Sequence, residues 1–294
     1  LGLETDFSLS TSLQARWFPA NSTDYQWGWG STDGNTGFLI LLVVRRYSLV
    51  TDSYTGHPAL DVAVSHAALG AVARGEIEGL IRLHVPEPVV AFGVIDRVQP
   101  GYPGAVRAAH ANGFGAVERL AGGRAAVFHE QTLAFAWATP EDEPRAGINE
   151  RFESVAGIMV DAFESLGIDA RIGQLRGEYC PGKWSVNVGG RVKVMGVGQR
   201  LVRGAAHVGG VVVVDDGERI RDVLIPVYRA LQLDWDPRTT GALADRAPGL
   251  DNNKVSDAII AAMSRRFELV PGEMPPSVLE EANGLIADHL PRVA

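Results

Sequence analysis

Gly177-Glu178-Tyr179-Cys180-Pro181-Gly182 leads into Trp184-Ser185-Val186-Asn187-Val188, then Gly189-Gly190, then Arg191-Val192-Lys193-Val194-Met195-Gly196-Val197-Gly198-Gln199. The first six residues have a loop composition: glycines and a proline surround the only cysteine of the chain. The next five alternate in character, break at a glycine pair and resume as an apolar run. That pattern predicts strand, tight turn, strand. A hairpin folds back on itself. Cys180, just before its first strand, and Lys193, early in its second, are therefore predicted to lie close in space.

A chain of 294 residues can form one large domain or two modest ones, with a sizeable core. Its 46% apolar and 21% charged residues are ordinary for a globular protein. The net charge of −8 argues against nucleic acid or an anionic membrane as the main partner. One cysteine excludes an internal disulfide and fits a reducing compartment, so a cytoplasmic location is expected. Residues 38–44 are strongly apolar but too short to span a bilayer. No basic segment precedes them, so no signal peptide is read there.

Residues 1–36 are rich in Ser, Thr, Asn, Gly and Asp, with Trp17, Trp27 and Trp29 among them. No period is sustained, which predicts an irregular extension. Residues 38–44 are predicted as the first buried strand. His57-Pro58 opens a helix whose stripe is Leu60, Val64, Ala67, Ala68 and Val72, ended by Gly75. His66 in that helix reads as structural. Strands are predicted at 80–85, 89–93, 116–120, 132–138 and 211–214, and a short helix at 106–113. Residues 140–145 read as a loop. The clearest amphipathic helix is 149–166, with Phe152, Val155, Ala156, Met159, Phe163 and Leu166 at helical spacing and Gly167 as its cap. Further helices are expected at 220–231, 255–267 and 277–290. Strands with early helices and then a helical tail predict an α+β fold, a mixed sheet packed on helices.

Three groups of residues have the chemistry for a site. A free cysteine is usually a buried small hydrophobe. The neighbours of Cys180 are turn residues instead, and a loop thiol beside a cation can act as a nucleophile. Lys193 reads either as a solvated strand lysine or as an ammonium aimed at a carbonyl oxygen that gains charge, a contribution of about 3 kcal/mol. Gly122-Gly123-Arg124 reads as a turn or as backbone brought close to a ligand. His129, which ends that segment, reads equally as structural or catalytic. No Walker-type phosphate loop, no His/Cys cluster at metal spacing and no Gly-x-Ser-x-Gly elbow is present.

Glu118-Arg119-Leu120-Ala121-Gly122-Gly123-Arg124-Ala125-Ala126-Val127-Phe128-His129 resembles the Arg-x-x-Gly-Gly-(Gly/Arg)-Ala-Val-x-His signature of the lipoate–protein ligase and biotin–protein ligase superfamily. The segment from Gly190 to Arg200, with Lys193, Gly196 and Gln199, resembles its Gly-x-Lys-x-x-Gly-x-x-Gln segment, which holds the essential lysine. Tyr179-Cys180-Pro181-Gly182 is similar to the motif of its octanoyl-(glycine cleavage H protein):protein N-octanoyltransferase branch. Arg124 stands where many members have a third glycine. The likeness spans about residues 41–225 and has no counterpart for 1–36.

The resemblance implies a mixed sheet with helices on one side. With the composition of 1–36 and the helical periodicity of the tail, the expected division is an irregular extension at 1–36, a catalytic domain at 37–235 and a mostly helical region at 236–294 packed on it. An octanoyl or lipoyl group would move between lysines of lipoyl-domain proteins through a Cys180 thioester. The glycine cleavage H protein would be the donor and a 2-oxoacid dehydrogenase E2 the acceptor. Lys193 would stabilise the oxyanion. Gly122, Gly123, Arg124, His129, Gly196 and Gln199 would bind the acyl chain. No cofactor and no metal are expected. ATP enters only if the chain is a lipoate ligase instead, with Cys180 incidental. The remaining alternative is an idle paralogue that binds acyl chains or lipoyl domains.

Overall fold

The computed structural model describes residues 25–27, 40–42 and 45–293. Contacts divide the chain into two units, Leu1–Arg45 and Arg46–Ala294. In the first unit, β1 (Tyr25–Trp27) pairs antiparallel with β2 (Ile40–Leu42). An irregular stretch was expected at 25–27, and the structure corrects that to a strand. The rest of 1–36, and the burial expected for 38–44, lie outside the described residues.

In the second unit the elements run β3 (Arg46–Val50), α1 (Leu60–Ala73), β4 (Leu80–His84), β5 (Val89–Phe92), α2 (Val94–Arg97), α3 (Tyr102–Ala111), β6 (Gly115–Glu118) and β7 (Ala126–Phe128). There follow β8 (Thr132–Glu141), α4 (Ile148–Ser165), β9 (Ala170–Ile172), β10 (Val186–Val188), β11 (Val192–Val202), β12 (Gly204–Val213) and α5 (Gly217–Ala230). The chain ends with α6 (Asn252–Ser264), β13 (Glu268–Pro271) and α7 (Pro276–Leu285). The large sheet has the order β13-β3-β4-β8-β12-β11-β10-β9, and a small sheet has the order β6-β5-β7. β13, β3 and β4 pair in parallel and the remaining pairs of the large sheet are antiparallel, so it is mixed as expected.

Alternation along β8 sets the two faces of the large sheet. Leu133, Phe135 and Trp137 pack with α4 and α6 through Val155, Met159, Phe163, Ile259 and Met263. Ala138 points the other way, onto Leu69 and Val72 of α1. α1 in turn packs on α7. Helices therefore cover both faces rather than one. The reason is visible in the strands: β4 is buried along its whole length and β8 from Thr132 to Thr139, which leaves no polar face to meet water. Among the described residues no helix is long and apolar enough to cross a membrane.

Cross-strand register then explains where empty space lies. Arg82, Ala136, Gly209 and Gly198 form one row across β4, β8, β12 and β11. Three of the four are alanine or glycine, so the middle of this face is low. The β5–β6–β7 sheet and the start of α1 stand around it without filling it.

Candidate active site

The hairpin forms as the sequence predicts, with Asn187 opposite Lys193 and Val188 opposite Val192. Gly189 (φ +58°) and Gly190 (φ +68°) supply the left-handed turn. The loop before it carries Cys180 at φ +40°, a conformation that L side chains rarely adopt. Several bonds hold it there. Cys180 N–H donates to Tyr228 Oη of α5 (2.8 Å), and that hydroxyl donates to Ala125 O (3.0 Å). Burial pushes the Tyr228 phenol well up, so it stays a donor. Cys180 is half-buried, not sealed in the core.

Lys193 is not solvated. It is 1% exposed, and its three ammonium protons are all engaged. Nζ donates to Glu178 Oε1 (3.1 Å), Tyr179 O (3.0 Å) and Cys180 O (2.7 Å). Its stem passes Gly196, where an added Cβ would lie 3.4 Å from Lys193 Cε. Glu178 is equally buried and also accepts from Ser185 Oγ (2.6 Å), Gly182 N (3.1 Å) and Leu175 N (2.9 Å). One carboxylate thus ties together both sides of the cysteine loop. The lysine meets the cysteine as predicted, but at its carbonyl oxygen and not at its sulfur.

The groups at the sulfur come from the glycine loop. Arg124 N–H donates to Cys180 Sγ at 3.2 Å, and Arg119 Nη1 approaches it at 3.7 Å while donating to Arg124 O (3.0 Å). Gly123 (φ +114°) lets this happen: a Cβ there would sit 3.0 Å from Sγ. Gly122 O lies over Gly198, where a Cβ would be 2.8 Å from it. The Arg124 side chain turns aside to Asp96 Oδ1 (3.1 Å) and Ile95 O (3.3 Å).

A cavity of about 100 Å³ opens over the low row of the sheet. A water site needs only about 10–15 Å³. Its floor is Ala134, Ala136 and Gly209, its walls include Val62 of α1 and Val117 of β6, and Arg119 closes one side. That same arginine reaches Cys180. At other points of the wall stand His84 and His207, both buried. Burial, then Arg119, lowers His207 to about 4. Burial, then Arg82, also lowers His84. Asp61 lines the cavity too. Burial raises its carboxyl, but His84 and Arg82 outweigh this and hold it at about 2. Beside the charged Asp61 and Arg119, the wall is built largely of Pro, Val, Ala, Phe and Gly residues, which suit a hydrocarbon chain.

None of Cys180, Lys193, Gly122, Gly123, Arg124, His129, Gly196 and Gln199 is part of that wall. Cys180, Lys193, Gly122, Gly123, the Arg124 backbone and Gly196 gather beside it. Gln199 turns instead to α4, accepting from Arg151 Nε (3.0 Å) and donating to Ile148 O (2.7 Å). His129 is buried in the β7–β8 turn, where Nδ1 accepts from Gln131 N (3.2 Å) and burial lowers its pKa. Sequence reasoning missed roles for Glu178, Tyr228 and Arg119. Two of them carried a signal: Arg119 leads the Arg-x-x-Gly-Gly signature, and Tyr228 is a polar-tipped ring beside the apolar stripe of Ile220, Val223, Leu224 and Val227. Among the described residues no group of three His, Cys, Asp or Glu could hold a metal ion.

Comparison with known proteins adds the following. The profile of the lipoyl protein ligase A/B catalytic domain matches residues 57–236. An octanoyl-[GcvH]:protein N-octanoyltransferase of Geobacillus kaustophilus is 27% identical over 252 residues, covering 82% of this chain and 88% of that protein. Octanoyltransferase LipM of Staphylococcus aureus is 25% identical over 230 residues, covering 72% of this chain and 80% of its own. The solved structure of lipoate-protein ligase A bound with ATP superposes with a TM-score of 0.67 at 18% identity, over 82% of this chain and 94% of that one. At that identity the likeness speaks for the fold.

Proposed function

The chain belongs to the lipoyl protein ligase A/B catalytic domain family, and from that premise we propose that it is a cysteine-dependent acyltransferase of protein lipoylation. It moves an octanoyl or lipoyl group between lysines of lipoyl-domain proteins. One observation carries this reading: a half-buried thiol, met by a backbone N–H and an arginine, stands beside a mostly apolar cavity that the same arginine lines. The relatives named as octanoyltransferases support it.

In this mechanism Cys180 Sγ bonds to the acyl carbon of an acyl-lysine. The carbonyl π pair moves to oxygen, the tetrahedral adduct collapses, and the donor lysine leaves with the thiol proton. The lysine of an acceptor lipoyl domain then attacks the thioester and restores the thiol. The acyl chain lies in the cavity. Gly122, Gly123 and the Arg124 backbone shape its throat, while Gly196 makes room for the Lys193 stem. Gln199 and His129 hold surrounding elements. Lys193 fixes the Cys180 main chain, and reaches an acyl oxygen only by exchanging one of its three acceptors for it. The glycine cleavage H protein is the donor, as in the name of the Geobacillus relative, and E2 lipoyl domains are acceptors. Amide and thioester exchange need no ATP and no cofactor, and a free thiol fits a reducing compartment such as the cytoplasm.

The test is transfer from an octanoylated H protein to an E2 lipoyl domain without ATP. The wild-type chain should pass the group on, and Cys180→Ala should not. Turnover only with ATP and free octanoate would make it a ligase instead. No turnover under either condition would leave an acyl- or lipoyl-domain binder.

A further inference from the structure

An ammonium with all its protons spent cannot receive a developing negative charge without breaking a bond it already has. That is the state of Lys193, held by Glu178, Tyr179 O and Cys180 O. The donors at the sulfur are different groups. The oxygen of an acyl group bonded to Sγ is two bonds away from it, so the donors already gathered at Sγ are those nearest the oxyanion. They are the Arg124 N–H (3.2 Å) and Arg119 Nη1 (3.7 Å).

Arg119 has three further properties that suit it to this charge. It forms no salt bridge with a carboxylate among the described residues, although it is half-buried. Its Nη2 and Nε make no hydrogen bond there, so donors remain available. It also lines the cavity, so one planar group touches both the acyl path and the thiol. Its place is fixed from below: an added Cβ on Gly198 would lie 2.9 Å from Arg119 Nη2, and one on Gly123 would lie 3.1 Å from Nη1. Glycine at both positions leaves room for the guanidinium.

We infer that Arg119 is a further catalytic residue, which with the Arg124 N–H binds the oxyanion formed when Cys180 is acylated, Lys193 serving to anchor the loop. The inference rests on the reading of Cys180 as nucleophile. In the step, sulfur bonds to carbon and the π pair becomes the oxygen lone pair that Arg119 binds. Expulsion of the leaving group returns that pair to the carbonyl and frees the guanidinium.

Two reactions of the same thiol separate this role from a structural one. Acylation by p-nitrophenyl octanoate passes through an oxyanion and releases p-nitrophenolate. Alkylation by iodoacetamide displaces iodide directly and forms none. With both rates taken per thiolate from their pH profiles, acylation in Arg119→Gln should fall about 100-fold, the loss typical of one oxyanion donor, while alkylation keeps its wild-type order of magnitude. Arg119→Lys, which keeps charge but not the planar fork, should recover part of the acylation. Acylation at the wild-type rate in Arg119→Gln would overturn the inference. So would an equal fall in both reactions, which would mean the thiol itself had moved or lost reactivity. A wild-type chain that takes no acyl group from the ester, yet is alkylated, would contradict the reading of Cys180, a result distinct from either.

Discussion

Lys193 and Glu178 are a buried ammonium and a buried carboxylate, with side chains 1% and 0% exposed. Removing one leaves the other without its counter-charge, a loss of about 3–5 kcal/mol. Lys193→Ala should therefore lower stability by about that much in urea unfolding, and Glu178→Ala likewise. The double change Lys193→Met with Glu178→Leu should cost less than either, because no lone charge stays buried. An unaltered midpoint in Lys193→Ala would mean the pair is not formed. From sequence alone an alanine at 193 would be expected to leave the fold intact, since a strand lysine reads as solvated. Nothing local to Val192-Lys193-Val194 reveals that Glu178 waits across the hairpin. The loop setting of Cys180 was legible for the opposite reason, because glycines and a proline flank it within three residues. Arg119 stands in the quoted signature, but its approach to Cys180 was not legible, because 61 residues separate the two.

Elements show the same division between local and distant information. Predicted helices at 149–166, 220–231 and 255–267 match α4, α5 and α6 to within about three residues, because each shows its own period. β13 was missed. It is four residues long, lies at an edge of the sheet, and sits in a tail that reads as helical. The strand read at 132–138 stops short of β8, which runs on to Glu141 with Pro140 paired opposite Ala205. α2 was also missed, yet it bears on the site. Gly93, at its N-terminus, has φ −82°, which any residue can adopt, but a Cβ there would lie 1.7 Å from Gly123 O. Gly93→Ala must then push the Gly123–Arg124 backbone off Cys180. Acylation by the octanoyl ester should drop at least as far as in Arg119→Gln, although no chemical group at the site has changed. Wild-type acylation in Gly93→Ala would show that the loop can shift without consequence.

At the scale of the whole molecule, pH reads out how the histidines are packed. His66, His84, His129, His207 and His289 all have lowered pKa values, with burial the largest cause. Unfolding lets each bind a proton near pH 6.5 that the folded chain refuses. The unfolded state then holds more protons, so stability rises with pH in that window. It should be lost steadily below pH 6.5, with His207 alone accounting for about 3 kcal/mol by pH 4. Asp61, held at about 2, adds a loss only below the ordinary carboxylate range. His207→Phe should flatten the slope between pH 6.5 and 4 in urea unfolding, and an unchanged slope would mean that His207 is protonated in the fold. The mixed sheet was legible from the order of elements. Its double helical cover was not, because the strands do not say which chain segments will meet their second face. The cavity follows from that cover, since it opens where Ala136, Gly209 and Gly198 fall in one row beneath α1 and the small sheet. All of this serves one thiol. The most direct measurement is the intact mass of the chain after incubation with octanoylated H protein, without ATP and without acceptor. The account predicts a gain of one octanoyl group, released by hydroxylamine and absent from Cys180→Ala. An unmodified mass in the wild type, or the same gain in Cys180→Ala, would contradict it.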